Sequence, residues 1–466
     1  MSTGQSLPEK RSSLSLVPDC DRALLLRAAS ARVAQTSLDV QYYLWEDDIT
    51  GRLLLFRLLE AARRGVAVRV LLDHIPQLAR TPRWAQLDAH PNVEVRLFNP
   101  LRGRFKHPLQ WLRHAPQLNH RMHNKAWIVD RQYALVGGRN IGDHYFGVDP
   151  VSHFRDLDIY ARGPIVVQVA EAFEQFWQSS LSLPLARISR HRPGSADKLW
   201  HYLQQWRRAL PGYPQRFEKP LSFYQQVLAE EDSNAIPASC TLLFDVPDKL
   251  LYPESVLMGE QLVSLLERQD VSEVLLEASY FMPGDELVDS FARLRQQGVR
   301  VAVLTNSLAT NDVLLAHAGY SRYRQGVLSA DVALHELRPY PRHSRNRRGR
   351  RQTASSLHTK AMVMDRQECF VGSFNLDPRS MHVNTEMGIY FLSTELGEAL
   401  AALIEEGLSP DNSYRLGYGF KNGLRWSVVD HRNTMAISHF HDEPLSPWFK
   451  RMVAKMLARL PLERWI

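Results

Sequence analysis

The chain has 466 residues, 44% of them hydrophobic, and a formal net charge of +7. That length asks for two or more domains or one large two-lobed unit, and the basic balance suits an anionic partner, either nucleic acid or an anionic membrane surface. The three cysteines, Cys20, Cys240 and Cys369, form no CxxC or Cys/His cluster, which argues against structural zinc or a disulfide framework and fits a reducing compartment.

Met1 to Val17 shows no apolar h-region with a small-residue cleavage site, and no run reaches the roughly 18 to 20 apolar residues that span a bilayer. The elements then come as a degenerate repeat. In the first half Leu38 to Leu44 reads as a strand, Gly51 to Arg64 as an amphipathic helix, Gly65 to Asp73 and Val93 to Phe98 as strands. A basic, Pro-containing loop, Arg102 to Arg121, leads into a hairpin over Lys125 to Gly138. A strand over Asp156 to Ala161 and a helix over Ile165 to Ser180 close the half. The second half repeats the order: strand Val274 to Phe281, helix Glu286 to Gln297, strands Gly298 to Asn306 and Val332 to Leu337, basic loop Arg338 to Arg351. Then come the hairpin Lys360 to Ser373, the strand Glu386 to Leu392 and the helix Leu396 to Glu406. Strands alternating with helices predict α/β sheets covered by helices. The expected boundaries are a lobe over 1–184, a connection over 185–240, a second lobe over 241–408, and a tail over 409–466 ending in an amphipathic stretch. Each basic loop reads equally as a solvated loop or an anion-binding one.

The chemistry sits on the hairpins. His123-Asn124-Lys125, with Asp130, has the pattern HxKxxxxD, and it recurs as His358-Thr359-Lys360 with Asp365. Downstream, Gly137-Gly138-Arg139-Asn140 is matched by Gly372-Ser373-Phe374-Asn375, and each matched residue is displaced by the same 235 positions. One such motif is weak evidence, since a lone His on a strand is usually a surface or satisfied core residue. Two, inside matching repeats, point to catalysis. Gly138 reads as a plain hairpin glycine.

On a strand, residues i and i+2 share a face, so each His is expected beside its Lys. Such a pair suits a phosphate-like anion and repels a metal cation, so neither a metal nor a cofactor is expected. Asn140 and Asn375 offer amide hydrogens to phosphate oxygens. Two Lys and two Asn around one phosphorus would stabilise developing charge. One imidazole would attack phosphorus and the other would protonate the leaving oxygen. Each needs an orienting acid. Asp156 and Glu386, on the strands after the hairpins, are the candidates, with Asp158 an alternative to Asp156. The candidate catalytic set is His123, Lys125, Asp130, His358, Lys360 and Asp365. Asp130 and Asp365 end their strands and are expected to brace the hairpins.

These motifs resemble the phospholipase D superfamily over nearly the whole chain. The stretches LDVQYYLWEDDITGRLLL, RMHNKAWIVD, VGGRNIGDHYFG, LTNSLATNDV with HAGY, and SFNLDPRSMHVNTEMG, with the ending EPLSPWFKRMVAKMLARLPLERW, are similar to bacterial cardiolipin synthases of the C-type. The resemblance implies two phospholipase-D-like αβα sandwich lobes facing each other across a pseudo-twofold axis. It implies phosphatidyl transfer among phospholipids, phosphatidylglycerol and phosphatidylethanolamine, through a phosphohistidine on His123. Lys125, Lys360, Asn140 and Asn375 would hold phosphate. The partners it implies are lipid substrates and an anionic membrane surface on the cytoplasmic side of the bacterial inner membrane. It implies no nucleic acid and assigns no accessory protein. Hydrolysis by water, a nuclease and a non-catalytic binder are the competing readings, and the unusually basic Arg338 to Arg351 leaves room for another anion. In the tail, Trp448, Phe449, Met452, Val453, Met456, Leu457 and Leu460 recur at helical spacing beside Lys450, Arg451, Lys455 and Arg459. This is the pattern of a helix lying in a membrane interface or packed on the core.

Overall fold

The computed structural model describes residues 11–101, 119–189, 194–212, 217–249, 257–268, 270–340, 354–419, 423–430 and 436–460. The basic loops expected over 102–121 and 338–351 lie almost wholly outside the described residues. The chain forms two compact units: Met1–Val148 with Asp158–Ser255 and Val383–Tyr390, and Asp149–Leu157 with Val256–His382 and Phe391–Ile466.

The first unit is built on a mixed sheet. Its strands run in the order Ser182–Pro184, Val93–Phe98, Ala67–Asp73, Ser37–Tyr42, Ala126–Val129, Tyr133–Gly137, Asp158–Arg162, Ser12–Val17, Ile236–Phe244. Ser37–Tyr42, Ala67–Asp73 and Val93–Phe98 are parallel, a pairing that needs a crossover, and helix Ile49–Arg63 supplies the first one. Asp48 starts that helix by accepting the Gly51 N–H at 2.8 Å. Gly51 is required there, because a Cβ would lie 1.8 Å from the Glu46 carbonyl oxygen.

Alternation along the strands puts helices on both faces. Val40 and Trp127 are register partners, and Trp127 donates through Nε1 to Ser30 of helix Cys20–Val33 at 3.0 Å. Asp39 points the other way. It holds Arg69 at 2.7 Å, and Arg69 reaches Glu174 of helix Pro164–Gln178 at 2.7 Å.

The second unit repeats the plan. Its strands run Ala436–Phe440, Leu424–Asp430, Ser413–Tyr418, Ala333–Leu337, Arg300–Asn306, Glu273–Ala278, Lys360–Met364, Glu368–Gly372. Leu304 faces Gly407 of helix Thr394–Leu408. Glu336, aligned with Thr305, faces the opposite way and accepts from Tyr320 of helix Leu314–Ser329 at 2.9 Å.

Both hairpins turn through two left-handed residues, Asp130 and Arg131 (φ 52° and 53°) and Asp365 and Arg366 (φ 49° and 54°). Gln132 N–H donates to the Val129 carbonyl at 2.9 Å, and Gln367 N–H to the Met364 carbonyl at 3.0 Å. This primed turn matches the twist of paired strands.

Three boundaries differ from the expected ones. Leu185 to Cys240 is more than a connection: helices Ser195–Ala209 and Leu221–Asn234 pack within the first unit, with Trp200 stacked on Phe56 at 5.0 Å and Tyr224 accepting from Arg57 at 2.8 Å. The 409–466 tail extends the second sheet, because Ser413–Tyr418 pairs with Ala333–Leu337. The strand expected over Asp156 to Ala161 is broken. Ser152–Arg155 pairs with Ala354–Leu357 in a small parallel sheet of the second unit, and Asp158–Arg162 belongs to the first.

Candidate active site

In the first unit His123 stands just before strand Ala126–Val129. Its backbone N–H donates to the Thr385 carbonyl at 2.9 Å, and Thr385 N–H to the Arg121 carbonyl at 3.0 Å. Segment Val383–Tyr390 thus bonds to the chain around His123. It brings Glu386, fully buried, to His123 Nδ1, with carboxylate oxygens at 2.8 and 3.0 Å. An ionised carboxylate only accepts, so Nδ1 carries the hydrogen and Nε2 is the unprotonated nitrogen of the neutral ring. Asp245 brackets Glu386 from the other side: Glu386 N–H donates to the Asp245 carboxylate at 3.0 Å, and Asp245 N–H to the Glu386 carbonyl at 3.0 Å.

The second unit builds the same pair from other parts. His358 N–H donates to the Arg155 carbonyl at 2.8 Å. Buried Asp156 accepts from His358 Nδ1 at 2.6 Å, and its second oxygen accepts the Leu157 N–H at 2.8 Å. Arg155 is anchored to Glu277 at 2.8 Å. Burial pushes the Glu277 carboxyl up and the Arg155 guanidinium partly offsets it.

Each acid therefore comes from the opposite sequence half to the histidine it orients. Asp156 follows the first motif and serves His358; Glu386 follows the second and serves His123. Asp158 is not an orienting acid, because it is fully buried against Arg27 at 2.9 Å and Arg139 at 3.3 Å.

The expectation that strand geometry sets His and Lys on one face needs correcting. His123 precedes its strand and His358 lies between two strands, because the backbone N–H of each bonds to an inserted segment and not to a sheet neighbour. Lys125 and Lys360, both buried, each donate to the carbonyl of the histidine two residues before, at 2.5 Å. Asn140 accepts the Leu44 N–H at 3.3 Å and donates to Tyr145 at 2.9 Å, while Asn375 accepts from Ser279 at 2.7 Å.

Asp130 accepts from the backbone of Gln35, Thr36 and Ser37 at 2.7–2.9 Å. Asp365 accepts from Ser272 and Glu273 at 2.8–2.9 Å. Both ends of these bonds lie within the sheet frame.

Residues that sequence reasoning missed include Asp245 and Arg155, and the rings of Tyr43 and Phe154, 5.5 and 5.2 Å from His123 and His358. No motif marks them. In the second unit a cavity of about 610 Å³ includes Leu376 and Asp377, the two residues after Asn375, with Glu260, Glu267, Asp285 and Glu286 also on its wall. Among the described residues no cluster of three or more His, Cys, Asp or Glu is arranged to hold a metal ion.

Residues 29–177 and 264–407 match the family described as "Cardiolipin synthase, PLD-like domain". The chain is 38% identical to cardiolipin synthase C of Escherichia coli K12, covering 95% of this chain and 94% of that one. It is 28% identical to cardiolipin synthase A of Pseudomonas fluorescens SBW25 over 82% of this chain and 64% of that one. The crystal structure of phosphatidylserine synthase from Haemophilus influenzae Rd KW20 shares the fold, with a TM-score of 0.64 at 15% identity, covering 99% of this chain and 97% of that one. The chain belongs to the cardiolipin synthase family of phospholipase-D-like phosphatidyltransferases.

Proposed function

We propose that the chain makes cardiolipin by moving a phosphatidyl group onto phosphatidylglycerol, with His123 and His358 acting as one chemical unit. The observation that carries this reading is the pair of imidazoles, each with Nδ1 on a buried carboxylate at 2.8 and 2.6 Å. In the first step His123 Nε2 attacks phosphorus and the bond to the donor's headgroup oxygen breaks. The His358 imidazolium gives that oxygen its proton. In the second step neutral His358 takes the proton of the accepting hydroxyl, whose oxygen attacks phosphorus and releases His123. Lys125, Lys360, Asn140 and Asn375 hold the phosphate oxygens as charge develops. Phosphatidylglycerol carries a headgroup hydroxyl and serves as acceptor. Phosphatidylethanolamine carries none and serves only as donor.

Lipid is favoured over a polynucleotide by the 38% identity to cardiolipin synthase C of Escherichia coli K12 across 95% of the chain. The reading places the enzyme peripherally at the cytoplasmic face of a bacterial inner membrane. Among the described residues no helix is long and apolar enough to cross a membrane. The test is to incubate purified protein in vesicles with labelled phosphatidylglycerol, with and without phosphatidylethanolamine, and separate the products by thin-layer chromatography. Cardiolipin is expected. Phosphatidic acid alone would make the enzyme a hydrolase, and cleavage of added DNA with no lipid product would make it a nuclease.

A further inference from the structure

Helix Trp448–Leu457 packs on helix Leu314–Ser329 with the wrong face inward for a core helix. Its buried side chain is Ala454, at 6% exposure. Trp448, Phe449, Met452 and Met456 are 69, 59, 50 and 60% exposed, and Leu460 just beyond is 49% exposed. At 100° per residue the four on the helix fall within about 100° of its circumference, so they form one stripe pointing to solvent.

Leu445, just before the helix, is 65% exposed and sits at φ 55°. A bulky residue in that region is strained, so the turn holds an apolar side chain in water at a conformational cost. The cations divide. Lys450 turns inward to the Leu308 and Asn311 carbonyls at 2.7 and 3.1 Å, which corrects the expectation that it reaches headgroups. Arg451 and Lys455 flank the stripe and pair with Asp442 at 3.1 and 3.3 Å.

We propose that this stripe, with Leu445, inserts into the interface of an anionic lipid bilayer, where Arg451, Lys455 and Arg459 meet the headgroups. The choice of a bilayer rests on the phosphatidyl-transfer reading and on charge. Aromatic and methionine side chains beside arginine and lysine complement acyl chains beneath anionic headgroups. A second copy docking the same stripe would set like charges against each other.

The test is co-sedimentation of the full chain with vesicles of phosphatidylglycerol mixed with phosphatidylcholine, and of phosphatidylcholine alone. The double substitution Met452→Glu, Met456→Glu should cut partition to the mixed vesicles about tenfold or more. It should leave the melting temperature and turnover of a short-chain soluble substrate unchanged. Asp442→Asn frees two cations and should strengthen binding to the mixed vesicles roughly fivefold, with no gain on phosphatidylcholine. Unchanged partition in both variants overturns the proposal. So does a double variant that turns a dimer into a monomer with vesicle binding intact, which would make a second copy the occupant. Vesicle binding lost in the double variant upholds docking even in a preparation that makes no cardiolipin, an outcome that would count only against the proposed reaction.

Discussion

Asp156→Asn separates the roles of the two histidines. The substitution keeps the shape of a fully buried side chain. One oxygen of Asp156 accepts the Leu157 N–H at 2.8 Å, and the other faces His358 Nδ1 at 2.6 Å. An amide keeps its oxygen on the Leu157 N–H and turns its NH2 toward Nδ1. Nδ1 must then accept, the proton moves to Nε2, and the imidazolium form loses its support. Loss of an orienting carboxylate with the wrong tautomer costs on the order of 10⁴ in rate, about 5 kcal/mol of barrier. Transfer from phosphatidylglycerol should fall by that order, because the glycerol oxygen needs a proton to leave. A donor with p-nitrophenol as its leaving group needs none, so its first release, followed by stopped-flow absorbance, should stay near the wild-type rate. Equal loss with both donors would refute the assignment and put nucleophilic attack on His358. Wild-type rates with both would remove Asp156 from the chemistry. An unchanged melting temperature confirms that the fold is intact.

His123→Ala and His358→Ala should each remove nearly all transfer, and the double variant should be little worse, because groups sharing one step are not additive. Substantial transfer in either single variant would end the one-unit scheme. Rapid quench of His358→Ala with a labelled donor whose p-nitrophenol leaving group needs no proton should leave acid-labile, base-stable phosphate on protein, while His123→Ala stays unlabelled. Label in none of the proteins would mean direct attack by the acceptor. Asp130→Ala and Asp365→Ala each delete hydrogen bonds to two or three backbone N–H groups and leave alanine at a left-handed position. Each should cost about 2–3 kcal/mol in urea unfolding with turnover of the folded protein retained; normal stability with lost turnover would move them into the chemistry. Burial pushes both carboxyls up, but hydrogen bonds from Ser37, Thr36 and Gln35, and from Ser272 and Glu273, outweigh it and hold them below the ordinary range. Their stabilisation is present above the unfolded value of about 4 and is lost as pH falls through the folded one. The acid limb of a stability–pH curve should therefore flatten in both variants.

The doubled motif, the hairpins and the parallel crossovers were legible because each leaves a local trace: a spacing, a turn or an alternation. Val93–Phe98 matches its expected bounds, and the hairpin strands fall within theirs. The acids were legible as types and positions but not as partners. HFRDLDIYA alternates without a mark at Asp156, yet the chain changes unit between Leu157 and Asp158. A strand that bonds to a distant segment looks the same as one that stays in its sheet. Asp158 looked equivalent to Asp156 because nothing local shows that Arg27 and Arg139 are buried beside it. The last helix had the right period, but a period fixes the width of a face and not its direction.

Exchanging the acids creates a positioning problem that core packing alone does not solve. A carboxylate must sit within a few tenths of an ångström of its imidazole to set the tautomer, and both acids ride on short inserted segments. Lys249 and Asp245 form a buried pair, each 1% exposed. Such a pair is weak evidence of net stability, since desolvation offsets the attraction. Its geometry explains it better: Asp245 clamps the backbone of Glu386, and Lys249 donates to the Asn384 carbonyl at 2.8 Å. His120 adds a contact to the Val383 carbonyl at 2.6 Å. The second unit reaches the same end with one residue. The Arg155 guanidinium is held by Glu277 and by the Leu403 carbonyl, while its own carbonyl accepts the backbone N–H groups of His358 and Thr359. Asp156 follows it directly in the chain. In both units a charged pair fixes the backbone next to the carboxylate, and through it the tautomer of the histidine.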